Sequence, residues 1–284
     1  MFDIAIIGAG PAGLSAALTG RIRNKDVALF EHGAFSEKLQ KSAKVDNYLG
    51  IENIDGKALM EKFSNHALSV NPNLIKEKVN TIFPDDNFFT ILTPFNTYEA
   101  KSIIIATGTM DTFIFQGEKE LLGRGVSYCA TCDGRIFEGK NTAVVSYTIE
   151  GEKEADFLAQ ICNKVYYLPQ YKGDFSKMRP PLEIIPEKIR SIKGDTKVEK
   201  LLTDKQEIPV DGIFILRKSD PVENILPGIE LDGETVKVNR DMSTNIKGVF
   251  AAGDATGKPY QIAKAVGEGL TAVLSAISYL DSKK

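Results

Sequence analysis

A glycine-rich segment near the start of the chain constrains the fold more than any other feature. Gly8, Gly10 and Gly13 follow a short apolar run that predicts a buried strand, and they precede an alanine-rich stretch that predicts a helix. A second apolar run ends at Glu31. In this context the first glycine permits a tight turn, the second lets the backbone approach a pyrophosphate, and the third lets helix and strand pack closely. The pattern predicts a βαβ unit that binds a dinucleotide, with Glu31 accepting a hydrogen bond from a ribose hydroxyl.

The order of predicted elements indicates the fold class and the domain organisation. A strand–helix–strand pattern starts again after residue 140, and the chain closes with a strand and a helix whose apolar residues keep helical spacing. This order predicts an α/β fold with two doubly wound domains of the dinucleotide-binding type, the second inserted into the first. We expect the first domain over residues 1–113 and 236–284, and the inserted domain over residues 114–235.

A close pair of cysteines indicates redox chemistry. Of three cysteines, two form the motif Cys129-Ala130-Thr131-Cys132, which continues as Asp133-Gly134. Zinc would need two more ligands, and Cys162, His32 and His66 are not at ligand spacing, so we expect no metal site. A two-residue gap allows a disulfide at a helix start, where backbone amides favour the thiolate. With no histidine nearby, Asp133 is the local candidate for proton exchange.

Composition and charge disfavour several classes of protein. The formal net charge is −3, which does not favour nucleic-acid binding. No apolar run reaches the roughly 18 residues that a membrane helix needs. The chain begins directly with a predicted strand and lacks a basic segment that would start a signal peptide. We therefore expect a cytoplasmic protein that binds neither nucleic acid nor membrane.

Further motifs resemble the FAD domain of the thioredoxin reductase family. Ala106-Thr107-Gly108 matches the segment that closes the first half of that domain, and residues 248–254 match its GxFAAGD segment, whose aspartate holds the ribityl chain. The family's GGQ segment appears here as Ser36-Glu37-Lys38. The resemblance implies FAD as cofactor, a homodimer, and thioredoxin as the disulfide substrate. The residues expected to bind FAD are Gly8, Gly10, Pro11, Ala12, Gly13, Glu31, Asn47, Ala106, Thr107, Gly108, Gly253, Asp254, Gln261, Ile262 and Ala263.

The dithiol motif resembles the redox-active centre of the same family. The resemblance implies that Cys132 faces the flavin and that Cys129 attacks the disulfide of the partner. It also implies that Asp133 gives and takes the proton of the exchanging thiol.

A second glycine fingerprint, which the resemblance places after the first strand of the inserted domain, is missing. The chain reads Ser146-Tyr147-Thr148-Ile149-Glu150-Gly151 there, and these side chains would block the approach of a pyrophosphate. The following strand leads to residues 168–172, which lack the arginines that would bind the 2′-phosphate of NADPH. The combination resembles the ferredoxin-dependent flavin thioredoxin reductases, which implies reduced ferredoxin as electron donor. Residues 164–205, with ten basic against six acidic side chains, are the candidate docking segment.

Four alternatives remain open from the sequence. One is a diverged NADPH-dependent thioredoxin reductase, and another is a flavin-dependent dithiol oxidase that passes electrons to O2. A third is a relative that carries a second flavin in the inserted domain. The last is a non-catalytic, redox-responsive binding module, against which the intact dithiol motif argues.

Overall fold

The computed structural model describes residues 1–33, 35–109, 115–149, 151–176, 178–217 and 221–283, without the side chains of Glu37, Thr131 and Cys132. The strands are β1 (Ile4–Ile7), β2 (Val27–Phe30), β3 (Asn73–Ile75), β4 (Thr81–Pro84), β5 (Phe89–Leu92), β6 (Thr97–Ala100), β7 (Ile103–Ile105), β8 (Val126–Ser127), β9 (Asn141–Ser146), β10 (Lys164–Pro169), β11 (Leu182–Ile184), β12 (Ile189–Lys193), β13 (Lys200–Thr203), β14 (Glu207–Pro209), β15 (Gly212–Leu216), β16 (Leu231–Asp232), β17 (Thr235–Val236) and β18 (Val249–Ala251). The α-helices are α1 (Pro11–Ile22), α2 (Glu37–Gln40), α3 (Gly56–Leu68), α4 (Ala130–Asp133), α5 (Gly151–Ala159), α6 (Val222–Ile225) and α7 (Ile262–Asp281), and 3-10 helices span Gly134–Phe137 and Gly253–Thr256.

The chain divides into two compact units. The first comprises Met1–Met110 and Pro221–Lys284, and the second comprises Asp111–Asp220. The second unit thus ends 15 residues before the predicted boundary at 235, because apolar side chains after Pro221 belong to the core of the first unit: Val222, Ile225, Leu226 and Ile229. Phe113, close to the other predicted boundary, lies outside the described residues.

The first unit is built on a parallel sheet with the strand order β18-β7-β1-β2-β3. The central strands are apolar and fully buried, as expected for a parallel sheet that is covered on both faces. Helices α1 and α7 lie together on one face, where a Cβ at Gly269 would collide with the carbonyl oxygen of Ala12. The antiparallel sheet β4-β5-β6 contributes to the core on the other face.

The second unit repeats this architecture. Its parallel sheet has the order β11-β10-β9-β15-β8, and a separate antiparallel sheet consists of β12, β13 and β14. In each unit the strand order reverses beside the first long parallel strand, at β1/β7 and at β9/β15. The predicted α/β class with two doubly wound domains, one inserted into the other, is confirmed.

Candidate functional site

The predicted dinucleotide-binding residues lie at the carboxyl edge of the first unit's parallel sheet. Gly8 follows β1, Glu31 follows β2, Ala106 follows β7 and Gly253 lies just beyond β18. The strand order reverses between β1 and β7, and ligands of doubly wound folds bind in the crevice at such a reversal. Segments that are up to 245 positions apart in the sequence therefore converge where the fold class places a nucleotide.

The three glycines of the fingerprint have three different environments. Gly8 has φ +107°, and a Cβ there would collide with the carbonyl oxygen of Ala106. A Cβ at Gly13 would collide with the carbonyl oxygen of Gly8, so this glycine lets α1 pack on β1. At Gly10, the N-cap of α1, the described protein atoms come no closer to an added Cβ than 4.0 Å, at Ser36. Protein packing does not require a glycine at position 10, whereas close approach by a pyrophosphate does.

Glu31 is fixed beside this turn. The Ala9 amide donates a hydrogen bond to Glu31 Oε2 at 3.1 Å. Burial raises the pKa of the Glu31 carboxyl to about 7, against the opposing effect of the Ala9 and His32 amides. The carboxylate points back to the glycine turn, as ribose recognition requires.

This pKa predicts a pH-dependent stability of the FAD-free protein. The folded-state pKa of Glu31 is raised from 4.5 to about 7. The contribution of Glu31 to the free energy of unfolding is therefore fully present below about pH 4.5 and is lost as the pH rises through 7. Relative to Glu31→Gln, which cannot ionise, the parent's free energy of unfolding should fall by up to about 3 kcal/mol between about pH 5 and pH 8. Urea unfolding of both proteins measures this difference, and parallel pH profiles would contradict the assignment.

Two predicted FAD contacts from distant segments are hydrogen-bonded to each other. Asn47 Nδ2 donates to Gln261 Oε1 at 2.9 Å. Gln261 is the N-cap of α7, and Ile262 and Ala263 form the first turn of that helix. The pair therefore lies at a helix end whose partial positive charge suits the pyrimidine end of a reduced flavin.

Lys38 contacts the predicted ribityl-binding carboxylate. Its ammonium group lies 2.7 Å from Asp254 Oδ2 and 4.7 Å from the centroid of the Tyr260 ring. Lys38 departs from the family pattern in the sequence, but the sequence predicts no contact for this residue. Nothing local in the sequence indicates a pairing across 216 positions.

Lys264 and Glu268 of α7 hold the turn that carries Asp254. The Lys264 ammonium donates to the carbonyl oxygens of Gly253 and Gly257, at 2.8 and 2.7 Å. Glu268 Oε2 accepts from the Gly253 amide at 2.9 Å and from the Thr256 hydroxyl at 2.7 Å. Both backbone polar groups of Gly253 are thus bound by side chains, which holds the backbone that leads into Asp254. No motif in the sequence indicates this network.

The dithiol motif lies in the second unit, directly after β8. Cys129 is disulfide-bonded and 8% exposed, whereas Cys162 is a buried free thiol. The side chain of Cys132 is outside the described part of the chain. Ser127 Oγ donates to Asp133 Oδ2 at 2.6 Å and accepts from the Cys129 amide at 3.1 Å. One hydroxyl therefore links the backbone of Cys129 to the proposed proton-exchanging carboxylate.

An exposed apolar side chain follows the dithiol helix. Ile136 is 64% exposed in the short 3-10 helix that succeeds α4. A single exposed apolar side chain is normal on a protein surface, so Ile136 by itself does not indicate a docking site.

The corresponding turn of the second unit is closed by its own side chains. Ser146 ends β9, and its hydroxyl donates to the carbonyl oxygen of Thr148 at 2.7 Å. A Cβ at Gly151 would collide with that hydroxyl. In the first turn of α5, Glu152 Oε1 accepts from the Tyr171 hydroxyl at 2.6 Å. A carboxylate and a seryl hydroxyl thus occupy the place where a nucleotide-binding turn presents bare backbone. Glu150, which we expect to repel a pyrophosphate, lies outside the described residues.

A buried ion pair lies at the same edge of the second sheet. Arg217 follows β15, and its Nη1 and Nη2 lie 2.6 and 2.7 Å from the two carboxylate oxygens of Glu118. Both side chains are almost fully buried. The Tyr128 hydroxyl also donates to Glu118 at 2.9 Å. Polar groups here satisfy one another, as buried charges must.

The described residues offer neither a metal-binding cluster nor a membrane-spanning helix. They contain no group of three or more His, Cys, Asp or Glu side chains that could hold a metal ion. They also contain no helix that is long and apolar enough to cross a membrane.

Comparisons with known proteins agree with this geometry. The family model described as pyridine nucleotide-disulphide oxidoreductase matches residues 2–166 and 184–269. A thioredoxin reductase of Helicobacter pylori is 34% identical over 309 aligned residues, which cover 99% of each chain. A crystal structure of a ferredoxin-flavin thioredoxin reductase from Clostridium acetobutylicum matches with a TM-score of 0.94 and 44% identity, over 99% of this chain and 98% of that one. The atypical thioredoxin reductase TRi of Desulfovibrio vulgaris Hildenborough matches with a TM-score of 0.75 and 31% identity, over 100% and 99% of the two chains.

The doubly wound units, the glycine turn and the disulfide at Cys129 define a dinucleotide-binding disulfide oxidoreductase. The chain belongs to the pyridine nucleotide-disulphide oxidoreductase family and, within that family, to the thioredoxin reductases. Its cofactor is FAD, and the environments of Gly8, Gly10, Gly13 and Glu31 fit an adenine dinucleotide.

Proposed function

We propose that this flavoprotein reduces the disulfide of thioredoxin with electrons from reduced ferredoxin, which pass through FAD and the Cys129/Cys132 dithiol. The observation that carries the proposal is the contrast between the two nucleotide turns. The turn after β1 keeps its glycines, whereas the turn after β9 is closed by Ser146. The similarity to a ferredoxin-flavin thioredoxin reductase over nearly the whole chain supports the choice of donor. The reducing chemistry also fits a cytoplasmic location, where thiols are kept reduced.

The residues of the first unit have binding and orienting roles in this proposal. Gly8, Gly10, Gly13 and the following Pro11 and Ala12 would hold the pyrophosphate, with the segment Ala106-Thr107-Gly108 opposite. Asp254 would hold the ribityl chain, and Asn47 with Gln261 would hold the pyrimidine end, beside Ile262 and Ala263. When bound, FAD supplies the ability to accept electrons singly and to deliver them in pairs.

The residues of the second unit carry out thiol–disulfide exchange. The Cys129 thiolate attacks a sulfur of the thioredoxin disulfide, one substrate sulfur leaves, and a mixed disulfide forms. The Cys132 thiolate then attacks Cys129, which restores the enzyme disulfide and releases reduced thioredoxin. Asp133, oriented by Ser127, transfers the protons that two leaving thiolates require.

The energetics permit this direction of electron flow. A low-potential iron–sulfur donor near about −400 mV and a dithiol near about −270 mV differ by roughly 130 mV. For two electrons this difference corresponds to about 6 kcal/mol in favour of thioredoxin reduction.

Docking of an acidic ferredoxin on residues 164–205 predicts a salt-dependent rate. In this segment Lys164 is paired with Glu183 at 2.5 Å, while Lys172 and Arg179 are exposed. Lys177, another basic residue of the candidate docking segment, lies outside the described residues. Replacing Lys172 and Arg179 by glutamate should slow flavin reduction by ferredoxin several-fold at low salt, and the difference should shrink above about 0.1 M salt.

The control makes the same change of charge on the first unit. Lys57 and Lys62 are exposed on α3, and their replacement by glutamate should leave the ferredoxin-dependent rate near that of the parent. A slower rate only in the α3 variant would place docking on the first unit. Thiol exchange with pre-reduced enzyme should be unaffected in both variants.

We also propose a homodimer that forms through the FAD-binding units. Leu270 and Leu274, one turn apart on α7 of that unit, are 42% and 38% exposed. A second copy would cover this apolar stripe. Sedimentation at working concentration should show a dimer, and Leu270→Glu with Leu274→Glu should shift it towards monomer. A parent enzyme that is active but strictly monomeric would contradict the proposal.

A further inference from the structure

The helix that follows Cys129 begins with an amide that is bound by a carboxylate from another helix. The Ala130 amide donates to Glu154 Oε2 at 2.8 Å. Glu154 belongs to the first turn of α5 and is half-buried. Because Ala130 directly follows Cys129, ordinary bond lengths keep this carboxylate within roughly 8 Å of the Cys129 sulfur.

This contact changes the effect that the start of α4 has on the ionisation of Cys129. The sequence predicts that amides at the helix start favour the Cys129 thiolate. In the structure α4 has four residues, and its first amide is already bound to a carboxylate. The amide is therefore directed to Glu154, and the negative charge of Glu154 lies near the place where the thiolate forms.

The other charged groups near α4 are either held elsewhere or exposed. Asp133, on α4 itself, accepts from Ser127, and Glu118 accepts from the hydroxyl of Tyr128. On α5, Glu152 is bound by Tyr171. Among the described residues of α5 and of the 3-10 helix Gly134–Phe137, the remaining charged side chains are exposed: Lys153, Asp156 and Arg135.

We propose that Glu154 is a positioning residue that keeps Cys129 protonated to higher pH and makes the dithiol a stronger reductant. The role rests on the proposed dithiol chemistry. Reduction of the enzyme disulfide takes two electrons from the flavin and two protons, and it gives two thiols. A nearby carboxylate disfavours loss of the Cys129 proton, because two negative charges at this distance repel each other. The reduced dithiol therefore gains less stability from ionisation of Cys129, and the reduction potential of the dithiol couple is lower. Electrons then pass more readily to the substrate disulfide.

The test measures the pH midpoint for alkylation of Cys129 in full-length, FAD-loaded protein. Cys132→Ser serves as the background, because it leaves Cys129 as the exchanging thiol, and alkylation by iodoacetamide is located by mass spectrometry. Adding Glu154→Gln keeps a hydrogen-bond acceptor for Ala130 but removes the charge. The midpoint should fall by about one pH unit. Asp156→Asn, a matched change at an exposed position of the same helix, should leave the midpoint within a few tenths of a unit.

Two further measurements distinguish an effect of the Glu154 charge from an effect of structural damage in the variant. Glu154→Asp keeps the charge, so its midpoint should stay close to that of the background, while the flavin spectrum and the melting temperature report the fold. At a pH above both alkylation midpoints, and in protein that retains Cys132, the disulfide of Glu154→Gln should be reduced at a several-fold lower value of [GSH]²/[GSSG].

An unchanged midpoint in Glu154→Gln, or an equal fall in Asp156→Asn, would overturn the role of Glu154. Neither measurement uses thioredoxin or ferredoxin. A parent enzyme that fails to reduce thioredoxin would therefore contradict the proposed function while leaving a measured shift intact.

Discussion

Replacing Cys132 by serine is expected to lower thioredoxin reduction by about a thousandfold or more while FAD remains bound. The residues proposed to bind FAD belong to the first unit and Cys132 belongs to the second, so the substitution removes a redox group and leaves every residue proposed to bind FAD unchanged. Without Cys132 the flavin has no disulfide to reduce. Absorbance of the bound flavin and the steady-state rate with thioredoxin measure the two properties.

Cys129→Ser should also stop turnover, but with a different spectrum. It should leave Cys132 as a thiolate beside oxidised flavin, which gives a long-wavelength charge-transfer band. If that band appeared in the Cys132 variant and not in the Cys129 variant, the two assigned roles would be reversed. Cys162→Ala is the matched control, because this thiol is free and buried in the core of the second unit. It should lose some stability but keep turnover.

NADPH and NADH are expected not to reduce the bound flavin at a useful rate. Nucleotide phosphates need bare backbone amides at a helix start, and here Ser146 closes the turn while Glu152 places a carboxylate in the first turn of α5. The basic side chains that would bind a 2′-phosphate are also missing from residues 168–172, apart from Lys172. Anaerobic stopped-flow mixing with either nucleotide should leave the flavin absorbance unchanged over seconds. Bleaching within milliseconds would show a working nicotinamide site.

The features that the sequence indicates most directly are those that a few consecutive residues determine. The glycine turn is one such case, because the position of each glycine relative to the strand and helix sets its role. The dithiol is another, since its two cysteines and Asp133 occur in one short segment. The loss of the second fingerprint could likewise be seen from residues 146–151 alone, although only the structure shows that the Ser146 hydroxyl closes the turn.

The features that the sequence did not predict depend on contacts between distant segments. Lys38 pairs with Asp254, and Glu154 binds the amide of Ala130, yet neither partner belongs to a recognisable spacing pattern. The raised pKa of Glu31 arises from burial, which depends on packing. The end of the second unit at residue 220 differs from the predicted boundary at 235 for a similar reason. The sequence does not indicate whether the apolar residues after Pro221 pack in the core of the first unit or of the second.

The central claim is that a reduced iron–sulfur protein, and not a nicotinamide, supplies the electrons for dithiol chemistry. It is tested most directly by anaerobic mixing of the oxidised enzyme with reduced ferredoxin, followed by oxidised thioredoxin, while the flavin absorbance and the thioredoxin thiols are recorded. We expect the flavin to bleach on addition of ferredoxin and to recover when thioredoxin is added, with two thiols formed for every two electrons supplied. A flavin that stays oxidised with ferredoxin but bleaches with NADPH would contradict the account.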